Sequence, residues 1–139
     1  MDDPQANKRL ISEYLARCEA GDIARIEELL APQLEWWVAG SFPGAGFVAR
    51  DVLMRSLGSI SGSLAEPLRF TIEHMTAEEN RVAVAARARA RRKDGGVYEQ
   101  IYHMLFFVRD GKIIAGRPYL DTLAFAEQVH GAVVTYPSA

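Results

Sequence analysis

The sequence predicts an α+β domain: a curved antiparallel β-sheet with helices packed on one face. Three observations predict it. Apolar residues recur at helical spacing through the first third of the chain. Segments of period two, separated by Asp-Gly turns, fill residues 81–121. Apolar residues make up 49% of the 139, a globular proportion large enough for one core. No repeat, linker or low-complexity run interrupts the chain, so residues 1–139 read as a single domain.

The elements follow in order. Residues 5–19 carry Ile11, Tyr14, Leu15 and Cys18 on one helical face, and Ala20-Gly21 offers a stop. Asp22 can cap a second helix through Leu30, with Ile23, Ile26, Leu29 and Leu30 apolar, and Pro32 helps to end it. LEWWVA (34–39) is strand-like, and GSFPGAG (40–46) is a loop by composition. Residues 48–60 form a third helix that buries Val52, Leu53, Leu57 and Ile60, and SGS (61–63) ends it. Strands follow at 68–75, 81–92 and 97–108, the last two joined by KDGG (93–96), with the Asp-Gly signal of a two-residue hairpin. RDGK (109–112) turns the chain into KIIAGRPYLD, and Asp121 can open a last helix, TLAFAEQVHG.

Composition excludes several classes. A formal net charge of −2 gives no pull toward nucleic acid or an anionic membrane. No apolar run approaches the roughly 18–20 residues that span a bilayer. MDDPQANKRL lacks the pattern of a secretory leader. Cys18 is the only cysteine, so neither an internal disulfide nor a cysteine zinc site is available. His74, His103 and His130 include no pair at i, i+4. We expect a soluble, cytoplasmic protein with no metal and no cofactor.

If Asp94 and Gly95 are the two turn residues, one face of the hairpin pairs Arg91 with Tyr98, Arg89 with Gln100, and Arg87 with Tyr102. The other pairs Ala88 with Ile101, Ala86 with His103, and Val84 with Leu105, and lies under the helices. Its alanines leave room for a pocket, into which His103 points and where it needs a hydrogen-bond partner. The Arg87/Arg89/Arg91 row is then a solvated or dimer face, or an anion-binding groove. A one-residue slip swaps the faces. Trp36 and Trp37 are adjacent on a strand, so one faces the core or pocket and the other faces outward. Phe42, Phe47 and Phe125 are candidates to close a pocket mouth, with ordinary core packing the alternative.

YLARCEAGD (14–22), LEWWVAGSFPGAGFVARDVL (34–53) and HMLFFVRDGKIIAGRPYLDT (103–122) occur in the order found in the NTF2-like superfamily. The chain resembles its SnoaL-like polyketide cyclases and ketosteroid isomerase-like proteins. The resemblance implies a cone-shaped α+β fold around a pocket, and commonly a homodimer through sheet faces. It implies an oxyanion-binding tyrosine at Tyr14, with His103 at the position of the isomerases' protonated aspartate. The isomerases' proton-shuttling carboxylate corresponds to Val38, so their reaction is not expected. GRPYLD is similar to the Arg-x-Tyr-x-Asp closing strand of limonene epoxide hydrolase-like members, at Arg117, Tyr119 and Asp121. Their second acid has no counterpart in AARARARR. In the SnoaL-like cyclases a single aspartate acts as acid/base, and the resemblance makes Asp121 the best candidate for that role here.

The expected function is cofactor-free acid/base chemistry on a small apolar, carbonyl- or phenol-bearing molecule: cyclisation, isomerisation or hydration. Asp121 would move the proton while Tyr14 and His103 stabilise charge on oxygen. Trp36, Trp37, Phe47, Tyr119 and Arg117 would bind the substrate. The alternatives are a non-catalytic small-molecule binder or a protein-interaction dimer of the same fold, with Asp121 serving only as a helix cap.

Overall fold

The computed structural model describes residues 2–131. Helix α1 (Pro4–Ala20) opens where the Asp3 side chain accepts hydrogen bonds from the amides of Gln5 and Ala6, with Pro4 in its first turn. It closes at Gly21, whose φ of +69° lets its N–H return to the carbonyls of Arg17 and Cys18. Helix α2 (Ile23–Glu27) is capped by Asp22 and is shorter than expected, because the chain extends from Leu30 onward. Strand β1 (Leu30–Val38) carries Pro32, which lacks an N–H, in the irregular stretch between its two points of contact with the neighbouring strand. A short strand, β2 (Gly46–Val48), occupies the end of the predicted loop and pairs with β1. Helix α3 (Arg50–Gly62) follows, and Arg50 ties its start to the carbonyls of Ala31 and Glu27.

The second half is a meander: β3 (Arg69–Glu78), β4 (Arg81–Arg91), β5 (Val97–Arg109) and β6 (Lys112–Leu120), then helix α4 (Thr122–Val129). The sheet order is β2-β1-β6-β5-β4-β3. Five strands were expected to form an antiparallel sheet. The sheet has six and is mixed, because β1 runs parallel to β6.

The β4–β5 register differs from the expectation by one residue. Lys93, Asp94 and Gly95 all lie in the loop, closed by the Arg92 amide donating to the Gly96 carbonyl at 2.8 Å. Gly95 adopts a φ of +92° that favours glycine. One extra loop residue shifts every partner, so Ala90 faces Tyr98, Ala88 faces Gln100, and Ala86 faces Tyr102. The inner face therefore carries Tyr98, Gln100, Tyr102, Met104 and Phe106. Glu99, Ile101 and His103 join Arg87, Arg89 and Arg91 outside. The alanines do lie under the helices, but the tyrosines cover them.

The core sits between this inner face and the helices. Ile11, Tyr14 and Leu15 of α1, Ile26 of α2 and Leu53 of α3 pack against Val82, Val84, Phe106 and Ile113. No helix among the described residues is long and apolar enough to cross a membrane.

Candidate functional site

Packing leaves a cavity of about 650 Å³ between the sheet and the helices, within the range of roughly 300–1,000 Å³ usual for small-molecule sites. Tyr14 and Cys18 of α1, Trp36 of β1, Phe70 of β3, and Tyr98, Tyr102 and Met104 of β5 line it. Trp36 is 5% exposed. Its ring meets Tyr14 at 6.3 Å and Phe106 at 6.2 Å between centroids, and these contacts fix the wall. At the α4 side, Phe42 and Phe125 stack at 5.1 Å, and His130 packs on both.

Three phenols, of Tyr14, Tyr98 and Tyr102, line this cavity, together with Ser56, Ser59 and Ser61 of α3. The hydroxyls of Tyr98 and Tyr102 are 2.5 Å apart. One proton serves the bond between them and the other remains available to a ligand oxygen. Burial pushes the phenols of Tyr14 and Tyr102 well above the ordinary value of 10.0. Burial also raises Tyr98, partly offset by its bond to Tyr102. Cys18, beside Tyr14, is pushed up to about 12, chiefly by burial. All four are neutral hydrogen-bonding groups near pH 7.

The carboxylates in the lining are already engaged. Glu19 accepts the Phe70 amide at 2.8 Å. Glu66 accepts the amide and Nε of Arg91, which hold its carboxyl below the ordinary range.

These shifts set a pH dependence. The folded chain keeps protons on Cys18 and the buried tyrosines after the unfolded chain has released them. The unfolded state then binds fewer protons, so stability falls as pH rises. The decline begins near the ordinary thiol value of 9.0, steepens past the phenol value of 10.0 and continues through the raised folded values. Urea midpoints measured from about pH 8 to about pH 11 should fall steadily; a constant midpoint would contradict the burial of these groups.

Of the residues expected in the site, Tyr14 and Trp36 line the cavity. His103 does not: the register shift places it on the outer face, exposed, opposite Ala85 and Tyr119. Trp37, Arg117 and Tyr119 also lie outside. The Arg117 guanidinium stands 5.5 Å over the Trp37 ring, and Trp37 meets Tyr119 at 5.7 Å. Phe47, opposite Trp37 on the edge strand, is 73% exposed. Asp121 is exposed and caps α4, its carboxylate accepting the Ala124 amide at 3.1 Å. It is not part of the cavity lining. Arg117 and Tyr119 do share one face of β6, but it is the face turned away from the cavity, and Asp121 lies beyond the strand as the cap of α4.

A profile of the SnoaL-like domain matches residues 11–116, most of the chain. The chain belongs to the SnoaL-like family. No curated protein matches it. Solved structures give the NTF2-like fold. An NTF2-like protein from Burkholderia xenovorans is 25% identical, covering 90% of this chain and 96% of its own, with a TM-score of 0.68. AclR of Streptomyces galilaeus, a candidate hydroxylase, is 14% identical over 96% and 87%, with a TM-score of 0.79. IdmH of Streptomyces antibioticus, a candidate polyketide cyclase, is 18% identical over 89% and 98%, with a TM-score of 0.72.

Two features of this SnoaL-like cavity escape the sequence reading: the Tyr98–Tyr102 pair and His130 at the mouth. The tyrosine pair had a signal. Pairing Glu99 with Arg89, as the structure does, puts opposite charges together on a solvated face and turns both tyrosines inward.

Proposed function

We propose that this SnoaL-like protein binds a small, mostly apolar molecule bearing a carbonyl or phenol oxygen inside the cone. The observation that carries the reading is the bonded Tyr98–Tyr102 hydroxyl pair within a mostly apolar cavity of ligand size. A buried hydroxyl with an unused proton selects a ligand that offers an oxygen there, because an apolar occupant would leave it unpaired. Tyr14 offers a further phenol at the same cavity, in the position that the family resemblance gives to an oxygen-binding tyrosine. A catalytic version needs a base. Asp121, exposed and engaged with Ala124, does not supply one from within the cavity, so the geometry supports binding ahead of proton transfer.

Two neutral probes test this. 2-Naphthol should bind about fivefold more tightly than naphthalene, and the Tyr98→Phe/Tyr102→Phe double variant should erase the difference. Equal affinities for the two probes in the wild type would sink the oxygen-recognition reading.

A second copy of the chain is the proposed partner of the outer sheet face. Trp37, Phe47, Ile101 and Tyr119 form an apolar band there, three of them at least 44% exposed. Light scattering at micromolar concentration should return twice the 15.4 kDa chain mass; a monomer would refute the dimer.

A further inference from the structure

A second concavity, of about 700 Å³, adjoins the cone. Glu19, Ala20, Glu66, Pro67 and Leu68 line both, so the two spaces meet along that wall. The second is bounded on its far side by Arg69, Arg89 and Arg91. Arg69 and Arg89 stand directly opposite each other in the β3–β4 ladder. Facing like charges destabilise a sheet, so the pair is a local cost, offset at Arg89 by Glu99 on its other side and at Arg69 by no salt bridge among the described residues.

The neighbouring arginines are neutralised. Arg91 pairs with Glu66 at 3.1 Å and Arg87 with Glu73 at 3.5 Å. Among the described residues no salt bridge involves Arg69 or Arg89, although Glu99 lies opposite Arg89 on β5. The groove thus holds three arginines against Glu19 and Glu66. With Glu99 opposite Arg89 the local charges balance, which suits a monoanion better than a dianionic phosphate. The guanidinium fork also matches a carboxylate in geometry.

We propose that this groove is an anion subsite continuous with the cone, and that the ligand is an amphiphile with its apolar body in the cone and a single carboxylate held by Arg69 and Arg89. The proposal rests on the reading of the cone as an apolar binding site.

The probe is 11-(dansylamino)undecanoate, compared by fluorescence titration with its uncharged methyl ester. The wild type should bind both, the carboxylate about tenfold more tightly. Arg69→Gln/Arg89→Gln should lower carboxylate affinity to that of the ester and leave the ester unchanged. Equal affinities in the wild type, or a carboxylate preference that survives the double variant, would overturn the subsite and leave the cone reading intact. Failure of the ester itself to bind would overturn the cone reading and the subsite with it. The double variant should also melt no lower than the wild type, since it removes facing like charges. A lower melting temperature would assign the pair a structural role and overturn the proposal.

Discussion

Gly116→Ala is expected to destabilise the protein by about 2 kcal/mol or more and to disrupt the cavity wall. Gly116 sits in β6 between Trp36 of β1 and Phe106 of β5. The Trp36 ring lies across the strand at that point. A Cβ built on Gly116 would fall 2.7 Å from Trp36 Cη2, and nearer still to Cζ3 and Cε3. Real Cβ atoms do not tolerate such contacts, so the ring must move. It has little room, being wedged between Tyr14 and Phe106, which themselves meet at 5.5 Å. Displacing Trp36 therefore disturbs three core aromatics together. This accounts for the glycine in GRPYLD: the bare backbone makes space for the indole that walls the cavity. Urea denaturation measures the effect, and a variant within about 0.5 kcal/mol of the wild type would contradict the packing described.

Gln100→Leu should cost about 1–3 kcal/mol and loosen α4. Gln100 is 2% exposed. Its amide nitrogen donates to the Asp121 carbonyl at 3.0 Å, and its oxygen accepts the amides of Asp121 and Ile101 at 2.8 and 2.9 Å. One side chain thus satisfies both backbone groups of the residue that caps α4. Leucine has a similar volume but takes this partner from the amides of Asp121 and Ile101 and leaves the Asp121 carbonyl only the Phe125 amide. Since α4 carries Phe125, Val129 and His130 to the cavity mouth, the change should show there. Amide exchange of residues 122–129 is expected to accelerate beyond the global loss of stability. Exchange that rises uniformly across the chain would mean that Gln100 does not anchor α4 specifically.

The α+β class and the helix–strand order were legible because they depend on local signals. Asp3, Gly21 and Asp22 mark helix ends by their side chains or their lack of one, and the alternation in residues 81–108 survives any register. The interior of the site was less legible, because its members depend on one count. A loop of three residues in place of two moves Tyr98, Gln100 and Tyr102 from the outer face to the inner and sends His103 outward. The parallel β1–β6 pairing depends on contacts between residues about 80 positions apart, for which no local pattern speaks. Trp36 and Trp37 could be set on opposite faces from their adjacency, but which was inner required Gly116 on the neighbouring strand. Asp121 illustrates a different limit: a helix cap and a catalytic carboxylate share the same residue type at a strand end, and hydrogen-bond geometry was needed to assign the carboxylate to Ala124.

The central claim is that ligand enters the cone at the Trp36 face of the sheet. Trp36 and Trp37 are the only two tryptophans, so the indole N–H region of a ¹H–¹⁵N spectrum holds one resonance for each, assigned with Trp37→Phe. Titration with 2-naphthol should shift the Trp36 resonance in a saturable way and leave Trp37 in place. A saturable shift of Trp37 alone, or no shift of either, would contradict the account.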